Sequence, residues 1–324
     1  MTKIKRRVSY LRVSVTDRCN FRCSYCMPHG IDWLDQSEIL SYEEMLRLIS
    51  VFAREGITNV RLTGGEPLVR KGIVDFVREI SKINTIHDIS MTTNGSLLPP
   101  MAYPLREAGL HRVNISLDTV NPERFAKITT CGCLEDTLLG IESALEAGLK
   151  PVKLNAVLTN ALCLSDLEYF IKIVKTKPIS VRFIEYMPMG PWDQVGGFVV
   201  SEVKKLLAST AQESLVNADA TVGLGPARYY RFSKGKGTFG FITPISEHFC
   251  EACNRLRLTA DGKLKPCLLS DNEVDVKTPL RAGASDKELA ELFHAAVMAK
   301  PEGHSLCRSS GYPDFQRKMS QIGG

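Results

Sequence analysis

The sequence predicts an α/β protein built on a parallel sheet, followed from about residue 221 by a smaller domain of different character. Three observations predict it. From residue 8, strand-like and helix-like runs alternate through six units, the pattern of a parallel sheet with right-handed crossovers. The residues least typical of ordinary sheet or helix fall at or near the carboxyl ends of those strands, where parallel α/β barrels place their sites. Beyond about residue 220 the alternation gives way to hairpins and one helix. Six units fit either a partial (β/α) barrel or an open doubly wound sheet, with domains at 1–220 and 221–324.

The strand runs are VSYLRVSVT, NVRLTG, DISMTT, RVNISLD, VKLNAVL and SVRFIEYM. Between the first two, SYEEMLRLISVFAREG predicts a helix. Ser41 and Glu44 form a capping box, Met45, Leu48, Ile49 and Phe52 make one apolar stripe, and Gly56 stops it. A helix over TLLGIESALEAG ends at Gly148. Another is expected to begin at Ser165 with Glu168 three residues on, striped by Leu167, Phe170, Ile171 and Val174. In the second domain ARYYRFSKGKGTFGFITPIS reads as two strands around a Gly-rich turn. RLRLTADGKLKPCL reads as a hairpin turning at Asp261-Gly262. A helix from about Asp286 to Ala299 carries Leu289, Leu292, Phe293 and Ala296 on one stripe and is stopped by Pro301.

Composition narrows the classes. A chain of 324 residues with 44% hydrophobic content can bury a large core. Its 41 basic and 36 acidic residues leave +5, too mild for nucleic acid but suited to a small anionic substrate. Ten cysteines with no signal peptide and no apolar run of spanning length imply a reducing, cytoplasmic setting without a membrane. The basic start, MTKIKRR, reads as a short arm.

Directly after the first strand run, CNFRCSYC spaces Cys19, Cys23 and Cys26 as C-x3-C-x2-C, with Tyr25 before the last. Three thiolates hold a four-iron cluster and leave one iron open for chemistry. A zinc site would want a fourth ligand, and His29 is cramped three residues past Cys26. A disulfide does not suit a reducing compartment. The motif resembles the signature of radical S-adenosylmethionine enzymes. In those, the open iron chelates S-adenosylmethionine, and one electron cleaves it to a 5′-deoxyadenosyl radical.

The other strand ends carry TGGEP (63–67), TTNG (92–95), SLD (116–118), Lys153 with Asn155, and EYMPMG (185–190). Gly64 and Gly65 let the backbone approach a ligand closely, and their carbonyls with Glu66 suit an ammonium group. Met187 and its neighbours suit an adenine. Arg12, Arg61, Lys153 and Arg182 lie in or beside strands. One such cation would be a snorkelling surface residue; four in one half-barrel favour an anion such as a polyphosphate. In the second domain Cys250, Cys253 and Cys267 form another triad. Spacing alone divides it between zinc, with His248 or His304 as fourth ligand, and a second iron–sulfur cluster.

From about residue 8 to 324 the chain resembles the GTP 3′,8-cyclases, the family that opens molybdenum-cofactor biosynthesis. FIEYMPMG, GFITPISEHFCEACNRLRLTADGKLKPCL and the closing RKMSQIGG carry the resemblance. It implies a partial (β/α)6 TIM-like barrel whose open side is closed by a smaller α+β domain. It also implies two 4Fe–4S clusters, on Cys19, Cys23 and Cys26 and on Cys250, Cys253 and Cys267. Tyr25, Gly65, Ser116 and Met187 would line the S-adenosylmethionine site. Arg12, Arg61, Thr92, Lys153, Arg255 and Arg257 would contact GTP, with Arg182 helping at the phosphates. The Gly323-Gly324 tail would reach into the site, although by itself it reads as a frayed terminus.

The implied reaction moves hydrogen from C3′ of the ribose to the 5′-deoxyadenosyl radical and joins C3′ to C8 of the guanine. The product, 3′,8-cyclo-7,8-dihydro-GTP, would pass to cyclic pyranopterin monophosphate synthase. The resemblance further implies a flavodoxin- or ferredoxin-like reductant and allows a homodimer. ITTCGCLED stands where the family usually carries a Gly-Arg pair, and NALCLSD replaces a more acidic turn. Cys131, Cys133, Cys163 and Cys307 complete no triad and are expected as free thiols. The rival readings are a peptide- or protein-modifying radical enzyme with an auxiliary cluster, and a zinc-stabilised binding protein.

Overall fold

The computed structural model describes residues 6–27, 33–187, 198–219, 225–304 and 317–323. His29, Cys307 and Gly324 lie outside the described residues. Six parallel strands come first: β1 (Tyr10–Ser14), β2 (Asn59–Thr63), β3 (Asp88–Thr93), β4 (Arg112–Ser116), β5 (Val152–Leu158) and β6 (Ile179–Glu185). The intervening helices are α1 (Tyr42–Arg54), α2 (Ile73–Ser81), α3 (Ala102–Glu107), α4 (Pro122–Thr129), α5 (Leu134–Glu146) and α6 (Leu164–Thr176). The rest of the chain supplies α7 (Val200–Ala211), β7 (Val216–Ala218), β8 (Arg228–Arg231), β9 (Thr238–Ile242), β10 (Arg255–Leu258), β11 (Lys263–Lys265), β12 (Val274–Asp275), α8 (Lys277–Arg281) and α9 (Asp286–Met298).

All twelve strands form one sheet, in the order β12-β11-β10-β1-β2-β3-β4-β5-β6-β9-β8-β7. Its middle, from β10 to β9, is parallel throughout, so the six-stranded unit gains one parallel strand at each edge. Only the outer hairpins are antiparallel. The sheet is open, not a closed barrel. Because β9 lies against β6 and β10 against β1, the chain between them crosses from one edge of the sheet to the other, and Cys250 and Cys253 lie on that crossing.

Strand alternation explains the two faces. Leu11 and Val13, Val60 and Leu62, Ile89 and Met91, Val113 and Ile115, and Val181 and Phe183 are buried in the core. The residues between them are polar: Arg12, Arg61, Ser90, Arg112, Asn114, Lys153 and Arg182. With a period of two, one face of each strand packs on helices while the other faces a polar cavity. A sheet with apolar layers on both faces would give continuous apolar runs instead.

Local signals mostly act where expected. The Ser41–Glu44 capping box starts α1, with Glu44 N donating to Ser41 Oγ at 3.2 Å and Ser41 N to Glu44 Oε2 at 2.7 Å. Phe52 of α1 stacks on Phe293 of α9, ring centres 5.0 Å apart, which pins the C-terminal helix beside the first. The start of α6 differs from the expectation. Its cap is Cys163, whose N–H donates to Asp166 Oδ2 at 2.9 Å, and not Ser165 with Glu168. The Asp166 carboxylate is fully buried and also accepts from Thr119 Oγ1 and Val120 N. Three donors at one buried carboxylate hold the helix start more firmly than an exposed Ser–Glu box would.

Candidate active site

One cavity of about 340 Å³ occupies the polar face of the sheet. Cys19, Cys23, Tyr25 and Cys26 line it from the loop after β1, Gly65 from the loop after β2, and Thr92, Ser116, Lys153 and Arg182 from β3 to β6. Met187 follows β6. Arg12 and Arg61 line it from β1 and β2, Arg255 and Arg257 from β10, and Cys250, Cys253 and Cys267 from the second half. The expected cluster, S-adenosylmethionine and GTP residues therefore line one cavity.

The first cysteine loop is built by close backbone approach. Gly65 N donates to Thr16 O and Glu66 N to Arg18 O, each at 2.8 Å. A Cβ on Gly65 would land on the carbonyl oxygens of Asp17 and Arg18. The glycines thus let one loop lie on the other's backbone. Glu66 is engaged as well: it accepts from Leu68 N at 3.0 Å, Thr93 Oγ1 at 2.8 Å and Asn94 N at 2.7 Å. Burial pushes its carboxyl up to about 7 against those hydrogen bonds. Its role here is to clamp the end of β3 to the TGGEP loop, which the ammonium-binding expectation did not foresee.

The back of the same loop rests on the turn after α4. Arg22 N donates to Thr129 O at 2.8 Å, Ser24 N to Ile128 O at 2.9 Å, and Thr130 Oγ1 to Arg22 O at 2.9 Å. The unusual ITTCGCLED stretch is therefore a support for the cysteine loop. Its Cys131 and Cys133 are exposed free thiols, and Cys163 is a half-buried free thiol at a helix cap.

Burial pushes the Cys19 thiol up to about 11 and the Cys26 thiol to about 12, with Cys23 also well above the ordinary thiol value. Burial also raises Cys253, but Arg255 and Lys300 outweigh it and bring that thiol down to about 6. Ligand atoms on one tetrahedral ion stand about 3.3–3.8 Å apart, given metal–ligand bonds of about 2.0–2.3 Å. Among the described residues, neither cysteine triad is gathered within 4.8 Å. Their donor set of three thiols, spread wider than one ion allows and facing a cavity, fits a multi-iron cluster better than zinc.

The cations form a belt. In sheet register Arg257, Arg12, Arg61, Ser90 and Arg112 stand level across β10, β1, β2, β3 and β4. Arg112 also lines the cavity and is paired with Asp88; sequence reasoning missed it, although the alternation in RVNIS carries the signal. Arg61 Nε donates to Ser90 Oγ at 3.1 Å, and Arg182 donates to the side-chain oxygens of Asn155 and Asn114. These acceptors are neutral. Burial first, then the neighbouring guanidinium Arg255, brings Arg257 down to about 10, and burial brings Arg61 to about 10 as well. Lys153 falls to about 6 through burial and then Arg182, Arg112 and Arg61. Cations held this close in a buried cavity repel one another, and a polyanion relieves that repulsion.

The C-terminal tail enters the same belt. Gly323 O accepts from Arg257 Nη1 at 2.8 Å and from Arg12 Nη2 at 3.2 Å. Ile322 beside it is buried. The tail is thus docked, against the plain reading of a frayed end.

Residues 13–174 match the family described as the radical SAM superfamily, and residues 179–306 match the one described as Molybdenum Cofactor Synthesis C. The GTP 3′,8-cyclase of Heliobacterium modesticaldum is 51% identical over 322 residues, covering 98% of each chain. The GTP 3′,8-cyclase of Desulforamulus reducens is 50% identical over 325 residues, again covering 98% of each. The chain belongs to the GTP 3′,8-cyclase family. As a radical SAM protein, a member of this family works with S-adenosylmethionine and a 4Fe–4S cluster. Two solved structures share the fold. A crystal structure of Streptococcus suis SuiB bound to S-adenosylmethionine aligns with a TM-score of 0.62 at 13% identity, over 82% of this chain and 61% of that larger one. Native anSMEcpe with bound AdoMet aligns with a TM-score of 0.55 at 13% identity, over 92% and 82%. Both support the open, partial-barrel fold. No helix among the described residues is long and apolar enough to cross a membrane.

Proposed function

We propose that the protein is a radical S-adenosylmethionine GTP 3′,8-cyclase that converts GTP to 3′,8-cyclo-7,8-dihydro-GTP, the first step of molybdenum-cofactor biosynthesis. The observation that carries this reading is the meeting of two cysteine triads and a belt of buried cations in one cavity, in a chain of this family. Cys19, Cys23 and Cys26 would hold the cluster at which S-adenosylmethionine is reductively cleaved to a 5′-deoxyadenosyl radical. Cys250, Cys253 and Cys267 would hold a second 4Fe–4S cluster, at the guanine end of the substrate.

The chain's own residues bind, orient and exclude. Tyr25, Gly65, Ser116 and Met187 would hold S-adenosylmethionine on the side of the first triad. Arg12, Arg61, Lys153, Arg182, Arg255 and Arg257, with Thr92, would hold GTP, the triphosphate replacing the neutral acceptors that the guanidiniums now use. Little proton transfer is asked of the side chains. Their contribution would be to fix C3′ between the radical source and C8. Residues 1–220 would form the radical module and 221–324 the substrate module, with electrons from a flavodoxin- or ferredoxin-like protein. The product would go to cyclic pyranopterin monophosphate synthase.

The test is anaerobic turnover of reconstituted, reduced protein with S-adenosylmethionine and GTP deuterated at C3′. Deuterium in 5′-deoxyadenosine together with a cyclised nucleotide is the expected result. Unlabelled 5′-deoxyadenosine would remove GTP as the substrate and favour a peptide-modifying enzyme. No 5′-deoxyadenosine from protein holding about eight irons per chain would overturn the enzyme reading altogether.

A further inference from the structure

A second donor cluster overlaps the C-terminal triad without coinciding with it. One ligand atom each from His248, Cys250 and His304 lie within 4.8 Å of one another, the one such group of three among the described residues. The two imidazoles face each other with ring centres 4.4 Å apart. His304 Nε2 lies 2.9 Å from the carbonyl oxygen of Pro244. A carbonyl accepts only, so this nitrogen carries the proton, and Nδ1 is left with its lone pair. Nδ1 is buried and has no hydrogen-bond partner among the described residues.

That arrangement is the one a metal-binding histidine adopts. One ring nitrogen donates to a backbone carbonyl, which fixes ring and tautomer, and the other points at the ion. A buried nitrogen lone pair without a donor carries a desolvation cost that a cation at this point removes. Two imidazoles and one thiolate suit a first-row divalent ion, with water as fourth ligand. His248 is exposed while Cys250 and His304 are half-buried, so an ion can enter from solvent.

We propose that His248, Cys250 and His304 form a mononuclear site for a divalent first-row transition metal, Zn²⁺ or Fe²⁺, occupied while the second cluster is absent. Cys250 is shared, so the single ion and the complete cluster exclude one another. The site gives the cluster-free chain a defined metal state: the thiolate that the second cluster needs is held and shielded from oxidation until the cluster replaces the ion. No electron transfer is involved in this exchange: binding releases the Cys250 thiol proton, and on release the ion's two imidazole bonds and its thiolate bond break as Cys250 passes to an iron of the incoming cluster.

Cluster-free, full-length protein titrated anaerobically with Co²⁺ tests this. One ion per chain is expected, with the strong visible d–d bands of tetrahedral cobalt and a thiolate-to-cobalt charge-transfer band. His304→Ala and His248→Ala should each weaken binding at least about tenfold, since even indirect supports of a metal site cost about 10–100-fold. His248 is exposed, so its removal tests the site without threatening the fold. Cys253→Ser should leave the cobalt spectrum unchanged. Binding that survives both histidine changes and is lost with Cys253 would place the ion on the cysteines alone and overturn the proposal. Reconstituted wild type, with its second cluster in place, should take up no cobalt at this site. Iron counting on that sample reads the second cluster separately: about four irons per chain, not eight, would count against the cluster and leave the cobalt result standing.

Discussion

Tyr25 Oη donates to Asp118 Oδ2 at 2.7 Å, joining the first cysteine loop to the end of β4. Asp118 Oδ1 accepts from Val157 N of β5 at 2.8 Å, so one carboxylate links three segments around the cavity. Burial raises both groups, Tyr25 well above the usual phenol range, which keeps it the proton donor. Tyr25→Phe leaves a buried carboxylate oxygen without its donor. The expected loss is about 1–3 kcal/mol, read as a lowered urea midpoint of the iron-free chain with unchanged slope.

Lys153 makes ligand binding depend on pH. With its ammonium near 6, it is mostly neutral at pH 7.5. A triphosphate favours the charged form and raises that value, so binding takes up a proton between about pH 6 and the raised value. Affinity for GTP should therefore fall as pH rises through that window, by up to about tenfold per unit. Calorimetry in buffers of different ionisation heat should show uptake of about one proton in wild type. Lys153→Met should show weaker binding and a flat profile.

Gly65→Ala places a methyl group on the backbone oxygens of Asp17 and Arg18, just before Cys19. The two loops must separate, so Cys19 loses its position. Reconstituted Gly65→Ala protein should carry about four fewer irons per chain and form no 5′-deoxyadenosine, while the second triad keeps its iron.

Lys300 acts at the other triad. Its ammonium donates to Arg255 O and to Pro266 O, each at 2.8 Å, bridging the segments that carry Cys253 and Cys267. Lys300→Met removes both bonds together with a positive charge near the thiolates. The reduction potential of the second cluster proposed at this triad should move to more negative values, since a lost cation disfavours the more reduced, more negative state. Lys300→Arg should restore most of the shift; an unchanged potential in Lys300→Met would make the residue a spacer only.

Much of this architecture was legible because strand alternation and helix caps act locally. The cations of β1, β2, β5 and β6 stood out as charges in strands, and the two triads as ligand spacings. What was hidden depended on distant residues. That β10 lies beside β1 follows from register between the chain's two ends, which no local pattern encodes. Asp166 took the cap of α6 because Thr119 and Val120 reach it from another loop. The clamp that Glu66 makes on Leu68, Thr93 and Asn94 joins segments that are distant in the sequence.

The pairing of β1 with β10 also sets an order of events during synthesis. Asn254 Nδ2 meets Ser9 Oγ across 245 positions of chain, so the outer edge of the first strand waits unpaired until β10 has been made. An open edge of that kind invites pairing with other chains, and contacts this distant form slowly. Both edges of the six-stranded unit are closed by late-made strands, β9 and β10. The cavity therefore first has strands along both sides only when β9 and β10 have been made.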